Sequence, residues 1–497
     1  MPFIGDSQAT RELRAVVARH TRRRLARIAA SVSAHGDQAL ADMIRSALGR
    51  LARGGAGGEA VLFGAAARAA ASNYEISTRL AALAQAALAL PRGERRATIE
   101  ARLFAAVAET PMLLSVAPRQ VADAGFARRC LSAATRLRRT TLADLALLLA
   151  PHARGLRAPV TVDLVPREDA EEALTGDEVR LGGGPYIARL GRGTGLRLAH
   201  TGDHLVFTRG RAELLRIDPT LLAEGAPACD RIAERPLLAG SPSLRLGRRL
   251  VSRPASLTVG DALPGLERKL GRALTLIRRA WPEAWEEIHL VTELVIPLDE
   301  PGVVSYSLPA RPGVSYINVW KKPFLQLVDD LLHEAAHHKL HAIEELEALV
   351  RDAGEPLWWS PWRRAWRPLR GLVHAAYTFT YGALLFARLL ALPASDLDQR
   401  GRLTSARRLL EEDTMLRFAA RDLARARRRG LLGPAGCGVE RDLGRCLAGP
   451  LALASRRARR VLAGEGARGL RVLAGLARLS HELAAMRRSE PGVLVLK

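Results

Sequence analysis

The sequence predicts a mainly α protein with a smaller β-rich part, an α+β chain. A helical N-terminal lobe is followed by a β-rich insert and a helical metal-binding core. Three observations predict it. Ala-, Leu- and Arg-rich stretches with apolar residues at helical spacing fill both ends of the 497-residue chain, as in Leu13, Val16, Val17, Leu25 and Ile28. Short β-branched or alternating segments separated by turns begin near Val160. The stretch Leu331-Leu332-His333-Glu334-Ala335-Ala336-His337-His338-Lys339-Leu340 sets an HExxH signature inside a long helix.

The N-terminal lobe spans 1–158, with helix breaks at Gly54 to Gly58, at Pro91-Arg92-Gly93 and near Thr110-Pro111. The insert and a Pro/Arg/Leu-mixed linker span 159–254, with strands at Val160 to Val165, Val179 to Leu190, Leu196 to Ala199 and His204 to Thr208. Turns are expected at Gly182 to Pro185 and at Thr201 to Asp203. His200, Asp203 and His204 fit a hairpin turn better than a metal cluster, because Gly202-Asp203 has its own backbone reason to occur there. The catalytic core spans 255–430. It opens on a helix from Asp261 to Ala284, followed by strands at His289 to Leu298, Gly302 to Leu308 and Val314 to Val319, the last two joined by a turn at Ala310 to Gly313. The metal helix follows, from Pro323 to about Gly354. A further helix begins at Pro368, and another covers Gly401 to Gly430. The C-terminal segment, 431–497, opens on a Gly-rich turn around Gly433 to Gly438. It continues as a helix from Pro450 to Arg488 and ends on a short strand or frayed tail at Gly492 to Leu496.

Helical geometry puts His333 and His337 about one turn apart on one face, so both imidazoles reach a single divalent metal, with Glu334 beside it. Two histidines leave a catalytic site incomplete, since zinc or non-haem iron commonly takes three protein ligands. The downstream candidates are Glu344, Glu347, Glu355 and His374. The longer pattern HExxHxxGxxH fails, because Leu340 and Ile343 occupy its later positions. His341 reads as a core or surface histidine, or as a donor behind the ligands. Arg367 and Arg370 precede His374 by seven and four residues on its helix and offer cations for an anionic cosubstrate. All seven tryptophans fall between Trp281 and Trp366, which marks that stretch as a pocket wall or the best-packed core. Glu411, Glu412 and Asp413 form the one acidic cluster of note, expected to pair with arginine.

The formal charge of +24 is almost all arginine spread through an Ala/Leu/Gly background, lysine occurring only at 269, 321, 322, 339 and 497. That distribution reads as compositional bias with a mild preference for an acidic peptide, and not as a nucleic-acid surface. The four widely spaced cysteines argue against a zinc ribbon or a disulfide framework. With no signal-peptide pattern at Met1 to Asp6 and no apolar run long enough for a bilayer, a cytoplasmic protein without membrane partners is expected.

Three blocks in fixed order, HEAAHHKL at 333–340, SPWR at Ser360 to Arg363 and RPLRGLVH at Arg367 to His374, precede an aromatic-rich helix. Together they resemble the HExxH-motif peptide-modification proteins found with ribosomally made peptide clusters, over about residues 285 to 430. Members are regarded as iron(II)- and 2-oxoglutarate-dependent peptide β-hydroxylases. The resemblance implies iron at His333, His337 and His374, 2-oxoglutarate anchored by Arg367 in preference to Arg370, and a precursor peptide as substrate. Glu334 would then orient a ligand, a water or the substrate. Two other readings stand beside it. One is a zinc metallopeptidase with Glu334 as general base; the other is a non-catalytic peptide-binding scaffold.

Overall fold

The computed structural model describes residues 4–91, 93–108, 125–156, 158–164, 174–175, 178–181, 186–190, 195–201, 204–218, 230–231, 235–238, 241–246, 263–309, 311–351 and 358–488. The expected features at Pro111, Gly182 to Pro185, Gly202-Asp203, Ala310, Glu355 and Gly492 to Leu496 lie outside these residues, as does Cys229. The mainly α class with a smaller β part holds, and the chain divides into two units. One comprises 18–234 and 249–256; the other comprises 1–17, 235–248 and 257–497.

The first unit takes most of helix α1 (Ser7–Ala34), then α2 (Gln38–Arg53), α3 (Gly55–Phe63), α4 (Ala65–Ala89), α5 (Glu94–Ala108) and α6 (Phe126–Leu149). Asp37 caps α2 by accepting from the Leu40 N–H. The expected break after Leu90 is present. The glycine run at 54–58, however, is itself helical from Gly55, with only Gly54 between α2 and α3. Helix α4 lies along α5 and α6, burying Leu80, Ala84, Leu103, Phe126 and Cys130 in a shared apolar core. The insert then supplies β1 (Val160–Asp163), β2 (Leu174–Thr175), β3 (Glu178–Leu181), β4 (Tyr186–Arg189), β5 (Leu196–Thr201), β6 (His204–Arg209), β7 (Ala212–Ile217) and β8 (Asp230–Arg231). They form two four-stranded sheets, in the orders β1-β5-β6-β7 and β2-β3-β4-β8. Thr201 pairs with His204 across the β5–β6 hairpin, so the hairpin expected around His200 and His204 is present. His200 is buried within it.

The second unit is built on a five-stranded sheet. Its strands are β9 (Arg235–Leu238), β10 (Ser241–Leu246), β11 (Leu294–Leu298), β12 (Tyr306–Leu308) and β13 (Arg311–Asn318), in the order β12-β13-β11-β10-β9. The expected linker therefore carries two strands, with β10 running parallel to β11. The strand expected from His289 begins later. Helix α7 (Leu266–Ala280) is followed by α8 (Pro282–Val291), whose first position is Pro282, and the strand starts only at Leu294. Strands β12 and β13 form the expected antiparallel hairpin, while β11 joins β13 in parallel.

Helix α9 (Phe324–Glu344) starts where expected, after Pro323, but ends about ten residues early. The chain beyond it is held by a tertiary bridge: Val350 pairs with Leu432, and the Arg351 N–H donates to the Leu431 carbonyl. The short hairpin β14 (Trp358–Ser360) and β15 (Ala365–Arg367) leads into α10 (Leu369–Leu389), with α11 (Gln399–Arg428) packed along it. The glycines expected to form a turn instead lie at the start of α12 (Pro434–Ala448). A Cβ at Gly433 or Gly436 would come within 2.1 Å of the Ala348 or Leu349 carbonyl, so their small size serves close backbone approach. The single helix expected after Pro450 is two, α13 (Pro450–Ala463) and α14 (Gly466–Arg488). Among the described residues no helix is long and apolar enough to cross a membrane.

Candidate metal centre

Helices α9 and α10 run antiparallel, and their register decides which side chains meet. Asp329 packs where Gly382 leaves room, His333 meets the Phe379 ring edge-on at 4.7 Å, His374 faces His337, and Arg370 reaches Glu344. Moving toward the end of α9 therefore means moving toward the start of α10. A Cβ at Gly382 would lie 2.8 Å from the Asp329 carboxylate, so glycine is what permits the helices to approach there.

This register gathers His337, His341 and His374, each offering one ligand atom within 4.8 Å of the others. Nδ1 of His337 and Nδ1 of His374 lie 3.4 Å apart. A single divalent ion with metal–nitrogen bonds of about 2.0–2.1 Å in tetrahedral geometry spaces two nitrogens roughly 3.3 Å apart, so the pair fits one metal. His341 and His374 are buried, and Nδ1 of His341 has no hydrogen-bond partner although it is out of reach of water. A buried imidazole nitrogen without a partner carries a desolvation penalty that a metal would remove. Burial, reinforced by the neighbouring histidines, holds His337 and His341 well below the usual histidine range, so both stay neutral and able to donate a lone pair. His337 remains partly exposed.

His333 lies outside this group. Its ring sits 5.0 Å from that of His337 and is wedged against Phe379, which stacks on Trp362 at 4.6 Å. Burial and the positive charges of Arg363 and Arg408 bring His333 down to about 4. The expected trio therefore differs at one place, His341 standing where His333 was expected. The cause is register: His374 sits across from the turn after HExxH, and at the level of His333 helix α10 presents Phe379. His338 is structural, its Nδ1 accepting from the Gly313 N–H and its Nε2 lying 3.0 Å from the Ser315 hydroxyl, which pins α9 to β13.

Glu334 is buried, but its surroundings are Ser307, Asp330 and Lys322. Burial raises its carboxyl to about 8, with Asp330 adding to the rise and Ser307 opposing it, and Oε2 has no hydrogen-bond partner. Glu344 is not among the three clustered residues. It lies 3.0 Å from His374 Nε2 and takes a two-pronged contact from Arg370 at 2.7 Å on each oxygen. Burial would raise the Glu344 carboxyl, yet these two partners hold it below the ordinary carboxylate range. Arg370, expected as a cosubstrate anchor, is thus engaged by Glu344. Arg367 is exposed at the end of β15, beside Gly371, and makes no ion pair with another described residue.

Three of the seven tryptophans, Trp281, Trp358 and Trp359, are buried; Trp285, Trp362 and Trp366 are half-buried, Trp320 is exposed, and Trp362 donates to Glu412 at 2.8 Å. Glu412 shares Arg408 with Glu411 and with Asp329 of α9, so the acidic cluster has the expected pairing role. Cys130, Cys437 and Cys446 are free thiols. His341, which the sequence places as a core or surface histidine or a donor behind the ligands, shares the i, i+4, i+8 row with His333 and His337 on one helical face. No protein-family model matches the chain, and a search of curated proteins finds no match.

Proposed function

We propose that this protein is an iron(II)- and 2-oxoglutarate-dependent hydroxylase acting at β-carbons in a ribosomally made precursor peptide, with the metal held by His337, His341 and His374. The observation that carries the reading is the three-histidine cluster, whose donor atoms converge within 4.8 Å. Three protein ligands leave positions for a chelating cosubstrate and for dioxygen, the pattern of non-haem iron oxygenases. Iron(II), 2-oxoglutarate and dioxygen together supply an oxidation that yields succinate and carbon dioxide and places one oxygen atom in a C–H bond.

The residues of the three sequence blocks support it by their placement. HEAAHHKL lies on α9, SPWR supplies Trp362 against Phe379, and RPLRGLVH delivers His374. Arg367, exposed and without an ion pair to another described residue, is the available cation for the distal carboxylate of the cosubstrate. Glu334 is set among Ser307, Asp330 and Lys322 and is not one of the three converging residues, so the zinc-peptidase reading, which needs it as base beside the metal, has less support.

The test is to incubate purified protein with iron(II), ascorbate, 2-oxoglutarate and a short peptide encoded beside its gene. Succinate and a peptide mass gain of about 16 Da, one oxygen atom, are expected. Both should vanish in His374→Ala. Peptide cleavage with zinc and without 2-oxoglutarate would replace this reading with a metallopeptidase.

A further inference from the structure

We propose that Glu344 and Arg370 are positioning residues that fix His374 in one tautomer, with Nδ1 as its metal-facing nitrogen. The inference rests on the metal-centre part of the reading above and not on its redox chemistry.

His374 has two ring nitrogens with different neighbours. Nε2 lies 3.0 Å from Glu344 Oε2, whereas Nδ1 lies 3.4 Å from Nδ1 of His337. A carboxylate only accepts, so Nε2 must carry the hydrogen and Nδ1 is left with its lone pair directed at His337. Glu344 is kept in its accepting form by the fork of Arg370, whose Nε and Nη2 donate to Oε1 and Oε2 at 2.7 Å each. Both carboxylate oxygens are thereby engaged, Oε1 by Arg370 and Oε2 by Arg370 and His374. Glu344 acts through His374 and is not itself a fourth ligand.

The order of elements explains the arrangement. Glu344 is the last residue of α9 and Arg370 the second of α10, so the antiparallel pairing brings them together next to His374, one turn into α10. Fixing the ring removes the competing tautomer and the ring flip that would otherwise oppose metal binding, and the hydrogen bond to a carboxylate makes Nδ1 a stronger donor.

Cobalt(II) serves as the probe, read by its visible absorption and by competition with a chromophoric chelator, on full-length protein whose folding is checked by circular dichroism. Glu344→Ala is expected to lower cobalt affinity about 10- to 100-fold, the range seen when such outer partners are removed. Glu344→Gln, whose amide oxygen still accepts from Nε2, should recover most of it, and Arg370→Ala should give a smaller loss. The cobalt spectrum should keep its band positions at saturation in all three, because the ligand set is unchanged. If Glu344→Gln is as weak as Glu344→Ala and the bands shift, Glu344 is a ligand and the proposal falls. Unchanged affinity in Glu344→Ala and Arg370→Ala overturns it as well. Should Glu344→Ala fail to fold, the Glu344→Gln and Arg370→Ala pair decides by the same criteria. A wild-type protein that binds no cobalt, zinc or iron overturns the metal centre itself. Metal binding without succinate formation would leave the clamp standing and remove only the hydroxylase reading.

Discussion

Two of the buried polar clusters on helix α9 are built in opposite ways. Around Lys339 every charge has a partner. Its ammonium contacts Glu287 and the Tyr381 hydroxyl, Tyr381 donates to the other Glu287 oxygen at 2.8 Å, and the Thr10 hydroxyl lies 2.8 Å from Glu287 as well. Around His341 the outer nitrogen of His374 is held by Glu344, while Nδ1 of His374 faces Nδ1 of His337 and Nδ1 of His341 has no hydrogen-bond partner. Buried polar groups in native proteins are nearly always satisfied, so the first cluster reads as structure, whereas the second brings together three histidine donors that could hold a metal.

The largest expected effect breaks the satisfied cluster. Lys339→Ala leaves Glu287 buried without its counter-charge, and should cost about 3–5 kcal/mol in denaturant unfolding. Metal affinity of the folded fraction should stay at the wild-type level. His341→Phe should do the reverse. The metal-free protein keeps its stability, since an unpartnered nitrogen is removed, but added metal no longer raises the melting temperature. In the wild type that rise corresponds to about 2.7 kcal/mol at a hundredfold excess of metal over Kd.

How much of this was legible in the sequence follows from which forces are local. The HExxH spacing and the Pro-initiated starts of α9 and α10 depend on neighbours a few residues apart, and the structure keeps them. That His341 and not His333 joins the cluster with His337 and His374 depends on the register between two helices, set by Gly382 against Asp329 and Phe379 against His333, contacts separated by more than forty residues. The early end of α9 and the glycines of α12 likewise follow from the Val350–Leu432 bridge and the carbonyls of Ala348 and Leu349. Apart from the i, i+4, i+8 histidine row, none of these leaves a periodic mark in the sequence. The engagement of Arg370 by Glu344 has the same origin, since it is made by the packing of α9 on α10.

A smaller effect concerns Glu334. In the unfolded chain its carboxyl releases the proton near 4.5, whereas the folded protein holds it until about 8. Folded protein therefore binds more protons across that interval, and stability falls as pH rises through it. Glu334→Gln should flatten this fall, by at most about 1.4 kcal/mol for each pKa unit of the shift, in chemical denaturation at pH 5 and pH 9 (about the two limits of the transition). A steeper fall in the variant would show that Glu334 is ionised and paired. The smallest structural effect is expected for Arg367→Ala, which is exposed and should leave stability within about 0.5 kcal/mol. On the hydroxylase reading it should raise the KM for 2-oxoglutarate while leaving cobalt binding unchanged.

The measurement that bears most directly on the metal centre is a cobalt(II) titration of His341→Ala and His333→Ala side by side. Convergence of His337, His341 and His374 predicts that His341→Ala loses at least about 100-fold in affinity, no less than the upper end of what outer-shell partners provide, with altered absorption bands. His333→Ala should bind within a few-fold of wild type with the bands unmoved. The opposite pattern, His333→Ala losing the metal while His341→Ala retains it, would return the site to the HExxH pair and contradict the register described for α9 and α10.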